Sequence, residues 1–394
     1  MKKTIRDYDL NNKRVIIRCD FNVPIENGKI TDDNRIIEAI PTIEYVLNNN
    51  AKVILLSHLG RVKEESDKQK NSLKVVSEAL EEAIHKKVTF IPFTRGKEVE
   101  EGINNMQPGD IVMLENTRFE DLDGEKESSN DPELGKYWAS LGDIYINDAY
   151  GTAHRSHASN VGIATYLPSG IGFLVEKEIE ILENLISNPK RPFIVILGGA
   201  KVKDKIGVIS NLVNIADKIL LSGGMAYTFV KALGYEIGTS LLDADSINFC
   251  QEMLKRYPDK ILLPKDFVVT KEYSPVAQAR VVDIDKMVYN EMGMDIGPVT
   301  VREYSDIIKG SKTVFWNGPA GVFEFDKFAV GTRKLCEVLV KTDAVSVLGG
   351  GDIGAAITKF GMKDKVTRIS TGGGATLMFL EGKPLPGIEV ISSK

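Results

Sequence analysis

The sequence predicts an α/β protein of two domains, each built on a mainly parallel sheet flanked by helices. Short apolar runs recur along the whole chain: Arg14–Arg18, Lys52–Leu56, Ile111–Leu114, Ile144–Ile146, Phe193–Leu197, Ile219–Leu221, Ile261–Leu263, Thr313–Trp316, Ala344–Leu348 and Val366–Ile369. Most alternate with amphipathic helical stretches. Continuous Val/Ile/Leu runs suit strands buried on both faces, and alternation with helices suits βαβ units. The motifs at the ends of these runs change along the chain. The first half carries the charged motifs CDFN, SHLGR, ENTRF and NDAYGTAHR, whereas the second carries the glycine motifs GGAKVKDK, SGGMAY, NGPAGVFE, GGGDIG and STGGG. Ligands of open α/β sheets bind beyond the carboxyl ends of the strands. The two halves therefore offer different ligand chemistry, and a length of 394 residues accommodates two domains.

Composition narrows the function. Hydrophobic residues make up 43% and charged residues 27%, as in ordinary globular proteins. A net charge of −5 argues against a nucleic-acid binder, which carries a basic footprint. Cys19, Cys250 and Cys336 are odd in number and form no CxxC pair, which suggests reduced thiols in a cytoplasmic protein. The start MKKTIRDYDL lacks the apolar segment of a secretory signal. No apolar run approaches the roughly 18 residues of a membrane-spanning helix.

In the first half, Arg18, Asp20 and Asn22 stand at the end of the first strand, and Arg35 opens a helix introduced by Thr31-Asp32-Asp33. His58 and Arg61 follow the second strand, Arg118 the third and Arg155 the fourth. On parallel neighbouring strands, these side chains converge on one mouth. Arginine forks bind carboxylate and phosphate bidentately, so the cluster calls for a small molecule with several negative charges. His154 and His157 form an HxxH without a third ligand at recognisable spacing, which favours anion contact or packing over metal. The turn Leu167-Pro168-Ser169-Gly170-Ile171-Gly172 closes this domain. The next stretch, Phe173 to about Ile186, places Val175, Ile179, Leu182 and Ile186 on one helical face, either as a stiff interdomain hinge or as an ordinary core helix.

In the second half, Gly198-Gly199 precede Lys201 and Lys205, whose spacing of four puts both on one helix face, where they can hold a transferring phosphoryl group. Glu324 in NGPAGVFE stands ready for ribose hydroxyls, or for a cap or ion pair. Ala344–Ala356 reads as strand, three glycines, Asp352 and a helix. Glycines allow close backbone approach to an anion and the helix N-terminus adds positive potential, so a phosphate fits, with Mg²⁺ between it and Asp352. Gly372-Gly373-Gly374 make a second such N-terminus. A rival reading is the dinucleotide fingerprint GxGxxG at Gly349, Gly351 and Gly354. That fingerprint needs an acid about 20 residues on, where the chain reads Arg368-Ile369-Ser370-Thr371. The four Gly-Lys dipeptides are followed by Ile30, Glu98, Tyr137 and Pro384, so none is a Walker A loop. GxSxG, HExxH and protein-kinase motifs are absent.

Taken in order, RCDFNVPI, DDNRI, SHLGR, LENTRF, NDAYGTAHRSHAS, GGAKVKDK, SGGMAYTF, WNGPAGVFE, GGGD, STGGGA and EGKPLPG closely resemble the phosphoglycerate kinase family over essentially the full length. The resemblance implies two Rossmann-like lobes. It implies residues 1–172 as a 3-phosphoglycerate-binding domain, 173–187 as a hinge helix, 188–379 as a nucleotide-binding domain, and a tail of about 380–394 folded back on the first. It implies reversible Mg²⁺-dependent phosphoryl transfer from 1,3-bisphosphoglycerate to ADP in a cytoplasmic glycolytic monomer with no nucleic-acid or membrane partner. Carried over by motif, 3-phosphoglycerate falls on Asp20, Asn22, Arg35, His58, Leu59, Gly60, Arg61, Arg118 and Arg155. ADP or ATP falls on Gly199, Lys201, Lys205, Gly223, Gly293, Asn317, Glu324, Gly350, Gly351, Asp352 and Ile353, with Asp352 toward Mg²⁺. Arg35, Lys201, Lys205 and the backbone at Gly351 and Gly373 would stabilise the moving phosphoryl group. One departure bears on the site: the family usually has Ser or Thr after GGGD, and Ile353 removes that hydroxyl, which is expected to weaken nucleotide binding. Met378 and Ala320 are further departures, at positions with no assigned role. A non-catalytic sensor on this fold would be marked by loss of Arg35, Lys201, Lys205 or Asp352, and all four are present.

Overall fold

The computed structural model describes residues 2–394 and divides into two compact units, residues up to Glu180 with Pro384–Lys394, and Ile181–Lys383. In the first unit the strands are β1 (Arg14–Cys19), β2 (Ile25–Glu26), β3 (Lys29–Ile30), β4 (Lys52–Leu56), β5 (Thr89–Ile91), β6 (Ile111–Leu114), β7 (Ile144–Asp148) and β8 (Ser169–Ile171). Six of them form a parallel sheet in the order β5-β6-β4-β1-β7-β8, and β2 and β3 make a small hairpin. Alternate residues of the central strands (Val15, Ile17, Val53, Leu55, Met113, Ile146) join one apolar core with Ile36, Ile43 and Val46 of helix Asn34–Asn48 and with Val76 and Leu80 of helix Lys74–Ile84. Both faces of β1, β4 and β7 are buried, which is why these strands read as unbroken apolar runs. Ser169–Ile171, read from sequence as a closing turn, is an edge strand paired with β7, because backbone pairing rather than an apolar run defines it. The C-terminal segment belongs to this unit. Asn147 Nδ2 donates to Gly387 O at 2.8 Å, Lys2 Nζ to Glu389 O at 2.7 Å, and Lys394 pairs with Asp7 at 3.0 Å.

The second unit holds β9 (Phe193–Leu197), β10 (Lys218–Leu221), β11 (Ile261–Leu262), β12 (Asp266–Thr270), β13 (Ala279–Asp283), β14 (Met292–Ile296), β15 (Thr313–Asn317), β16 (Val345–Gly349) and β17 (Arg368–Ser370). A six-stranded parallel sheet runs β11-β10-β9-β15-β16-β17. Beside it lies an antiparallel sheet, β13-β12-β14, that the apolar runs did not predict. β12 is largely buried, but β13 is exposed at four of five positions, and Ala279–Asp283 and Met292–Ile296 carry charged residues and a glycine in place of an unbroken apolar run. Phe267, Val269 and Val282 of this sheet pack on Ala226, Tyr227 and Val230 of helix Gly223–Ala232.

Ile353 is fully buried in the core formed by Ile194, Ile196, Trp316 and Leu348. This corrects the expectation that it takes the place of a hydroxyl facing a nucleotide: its side chain points into the sheet, and only its backbone is available outward. The helix Phe173–Ser187 is the one in which the division between the units falls. Its buried apolar residues are Leu174, Val175, Leu182 and Leu185, whereas Ile179 and Ile186 are half-buried. The helix starts on Asp148, whose Oδ1 accepts from Leu174 N at 2.9 Å and Val175 N at 3.3 Å. Burial pushes the Asp148 carboxyl up from 3.8 to about 6, against these hydrogen bonds.

Ile353→Ser should therefore cost about 2–4 kcal/mol of stability, from lost burial and an enclosed hydroxyl, read as a lowered denaturant midpoint. An unchanged midpoint would mean that the side chain lies outside the core. For Asp148 the raised folded pKa sets the sign. The folded state takes up the proton first, so wild type loses stability relative to Asp148→Asn as pH rises from about 4 to about 6, and the difference is constant above that. Denaturant titrations of both proteins across this range check it; a difference independent of pH would put the carboxyl in water.

Candidate active site

In the first unit, β6, β4, β1 and β7 are parallel neighbours, so the loops leaving their carboxyl ends share one edge. These loops are fastened to one another. Ser57 Oγ accepts from Phe21 N at 2.9 Å, and Asn22 Oδ1 from Gly60 N at 2.8 Å. Asn116 Nδ2 donates to Leu59 O at 2.7 Å, while Asn116 Oδ1 accepts from Arg118 N at 3.0 Å. Asn160 Nδ2 holds Arg155 O at 2.9 Å. Asp20 is buried and pairs with Arg35 at 2.5 Å, which aims the guanidinium from its helix. That helix is capped by Asp32, whose Oδ1 accepts from Asn34 N at 2.9 Å; Asp33, at the N-cap itself, makes no side-chain cap.

The cluster is cationic and poorly neutralised. Burial drives the His58 pKa well below 6.5, and the charges of Arg18, Arg118 and Arg35 push the same way. Burial, then Arg18, Arg118 and Arg155, push His157 down to about 3. Burial and the adjacent Arg155 charge lower Arg118, whose Nε is buried without a hydrogen-bond partner. Arg155 is exposed and donates from Nε to His154 Nε2 at 3.3 Å. Thus Asp20, Arg35, His58, Arg118 and Arg155 come together, and Asn22, Leu59 and Gly60 lie in the loops fastened beside them. Arg61 is exposed and makes no side-chain hydrogen bond or ion pair among the described residues. Two buried residues were missed as site partners. Arg18 was read only as a strand-end residue, and Glu127 lies in a run of turns that carries no motif.

In the second unit the ends of β9, β10, β15 and β16 meet backbone to backbone. Gly198 N donates to Asn317 O at 2.8 Å, Met225 N to Gly199 O at 2.8 Å, and Gly223 N to Ala320 O at 3.0 Å. A Cβ on Gly223 would lie 2.7 Å from Gly199 N, and Gly350 has φ +104, so neither position accepts a side chain. Lys205 is buried beneath this junction and donates from Nζ to Asn317 Oδ1. Asn317 Nδ2 in turn donates to Gly349 O at 2.5 Å. Burial pushes Lys205 down from 10.5 to about 8, opposed by the charges of Asp204 and Asp352. Asp352 is exposed in the first turn of helix Gly351–Lys359.

The lysine arrangement differs from expectation. Lys201 lies in the loop and is exposed, because Lys203–Lys205 is a 3₁₀ turn and the α-helix begins only at Ile206. The two lysines therefore share no helix face. Gly293 sits in β14, where a Cβ would collide with the Tyr227 hydroxyl. Glu324 is exposed, and its backbone carbonyl accepts from Lys359 Nζ at 3.3 Å, the lysine coming from the last turn of the Asp352 helix. Gly373, with φ +49, follows β17, next to the Gly349–Gly351 loop. Leu241, 57% exposed, was also missed: it lies over Gly224 and Ala200 and presents apolar surface beside the glycine loops. The only sequence signal was an apolar pair, Leu241-Leu242, in a polar loop.

Among the described residues, no group of three or more His, Cys, Asp or Glu is placed to hold a metal ion. One exposed carboxylate suits Mg²⁺, which keeps several waters and binds through one or two carboxylates plus substrate phosphates. Among the described residues no helix is long and apolar enough to cross a membrane.

The family model described as phosphoglycerate kinase matches residues 5–383. A curated phosphoglycerate kinase of Fusobacterium nucleatum subsp. nucleatum is 58% identical over 398 residues, and one of Staphylococcus aureus is 55% identical over 394, each covering 100% of both chains. The solved phosphoglycerate kinase of Coxiella burnetii superposes with a TM-score of 0.87 at 39% identity, covering 99% of this chain and 98% of that one. That of Pyrococcus horikoshii OT3 gives 0.86 at 33% identity, with 98% of both chains covered. With two parallel-sheet units, one ending in arginines and the other in glycine loops around a buried lysine, the chain belongs to the phosphoglycerate kinase family of phosphotransferases.

Proposed function

We propose that the arginine cluster holds 3-phosphoglycerate or its acyl phosphate, that the glycine loops hold ADP or ATP with Mg²⁺, and that the phosphoryl group passes directly between them. The reaction is the glycolytic phosphoryl transfer of the family. The observation that carries the residue assignment is Lys205, an ammonium 7% exposed whose Nζ has one hydrogen-bond partner among the described residues, Asn317, at the meeting point of the glycine-tipped strands. An ammonium so dehydrated calls for an anion. A transferring phosphoryl group spreads charge over three oxygens and asks for positioning and charge stabilisation rather than covalent chemistry. Lys205, Lys201, Arg35 and the backbone N–H groups at Gly351 and Gly373 supply that stabilisation. No general base is needed, since the attacking ADP oxygen and the departing carboxylate are already ionised.

Asp20, Asn22, Arg35, His58, Arg61, Arg118 and Arg155 bind the three-carbon acid, with Leu59 and Gly60 shaping the loop. Gly199, Gly223, Gly293, Asn317, Glu324 and the Gly350–Ile353 backbone bind the nucleotide, Glu324 through the ribose, with Leu241 against the base. Asp352 holds Mg²⁺, which supplies neutralisation of phosphate charge when bound. Direct transfer requires the two ligands to meet, and helix Phe173–Ser187 serves as the hinge. The protein works as a cytoplasmic monomer.

The reverse reaction tests the assignment. MgATP and 3-phosphoglycerate are incubated with hydroxylamine, which traps the acyl phosphate as a hydroxamate. Lys205→Met should lower kcat by about 10²–10³ while leaving KM for 3-phosphoglycerate near its wild-type value. Near-normal turnover would remove Lys205 from the chemistry. A second test uses its lowered pKa. The free enzyme is half-protonated there at pH about 8, and bound phosphates favour the ammonium. MgADP binding at that pH should take up about half a proton, vanishing near pH 6 and absent in Lys205→Met. Calorimetry in buffers of different ionisation heat reads this directly; equal heats in both would overturn a lowered Lys205 pKa that bound phosphate raises.

A further inference from the structure

Arg18 has no exposed surface, although it lies on a central strand among valines and isoleucines. Its Nε donates to Ser159 Oγ at 2.8 Å and its Nη1 to the carbonyl of Cys19. Its Nη2 lies 3.4 Å from His58 Nδ1 and 4.0 Å from Glu127 Oε1. Glu127 is also fully buried; its Oε2 accepts from Ser159 N at 2.9 Å and its backbone carbonyl from Ala158 N at 2.9 Å. A buried ion pair recovers little net stability compared with apolar side chains of the same volume. The pair therefore calls for a role beyond packing, and the proposed chemistry uses neither residue.

Hydrogen-bond valence identifies the role. A guanidinium has donors and no acceptor, so the ring nitrogen it approaches must offer a lone pair. Nδ1 of His58 is then unprotonated, and the proton of the neutral ring sits on Nε2. Arg18, Arg118, Arg35 and His157 all face His58 electrostatically, and every one of them opposes a second proton. Glu127 anchors Arg18 from the far side, and Ser159 bridges the two through its hydroxyl and amide.

We propose that Arg18 and Glu127 form a buried positioning pair that locks His58 as the neutral tautomer with its proton on Nε2, so that it donates a hydrogen bond to the anionic substrate. The opposite tautomer presents a lone pair to an anion and repels it. The pair thus controls substrate affinity through His58 and leaves the transfer step alone. The inference rests on the reading of His58 as a ligand of the three-carbon acid.

The test uses the full chain labelled with ¹⁵N-histidine, and the His58 signals are identified by their loss in His58→Gln. Wild type should show an unprotonated Nδ1 and a protonated Nε2 that do not change between about pH 6 and 8. Arg18→Met should mix the tautomers and raise KM for 3-phosphoglycerate about tenfold, with kcat within about twofold. Arg18→Lys, which keeps a charged donor, should recover the single tautomer. If Arg18→Met does not fold, Arg18→Met combined with Glu127→Met removes both buried charges and takes its place. A wild-type His58 carrying its proton on Nδ1, or on both nitrogens near pH 7, overturns the proposal. So does a folded Arg18→Met variant, alone or with Glu127→Met, whose His58 keeps the wild-type tautomer. An unchanged KM in His58→Gln, with the wild-type tautomer as expected, instead sinks the substrate assignment of His58 and leaves the lock standing.

Discussion

A cation removed from water must be hydrogen-bonded or must wait for an anion, and both units are organised around one that has been removed. Arg18 in the first and Lys205 in the second are buried near the carboxyl ends of central parallel strands. Each is held by neighbours on adjoining loops: Ser159 and Glu127 for the arginine, Asn317 for the lysine. Their desolvation is costly, and the fold repays it unequally. Arg18 has a carboxylate and behaves as fixed structure. Lys205 has an amide oxygen as its hydrogen-bond partner and no ion pair among the described residues; burial outweighs the charges of Asp204 and Asp352 and carries its pKa down to about 8. This asymmetry fits the proposed roles, a residue that positions others and one that meets substrate.

The same logic explains the histidines and arginines of the first unit. Neutral imidazoles beside several guanidinium groups add hydrogen bonds without adding repulsion. Burial and neighbouring charge both hold His58 and His157 in that state. Asp20 pairs with Arg35 and Glu127 lies beside Arg18, and the Arg155 charge acts on Arg118 against the weaker effects of Asp121 and Glu127, which suits the anionic ligand proposed for this cluster. In the second unit, backbone replaces side chain. The approach of Gly223 to Gly199 leaves no room for a Cβ, and the N–H groups of glycine loops serve where arginines serve in the other unit. A planar, rigid fork suits a small acid that must be oriented, whereas close backbone approach suits a phosphate chain.

The sequence by itself determined the fold class, because unbroken apolar runs alternating with amphipathic stretches admit few solutions besides two parallel sheets. It also determined which strand ends carry arginine and which carry glycine, since those motifs are local. It missed β12 to β14, because charged residues and a glycine interrupt β13 and β14 and leave no unbroken apolar run there, and it read β8 as a turn. Only the tertiary structure decided side-chain direction and partnership. Lys201 and Lys205 are four residues apart, yet a 3₁₀ turn sends one to solvent and buries the other. Ile353 follows Asp352 directly and faces the opposite way, into the core. Glu127 meets Arg18 across more than a hundred residues with no motif to mark it. Burial and long-range pairing depend on how elements pack, and that packing is set by the whole chain rather than by any short stretch of it.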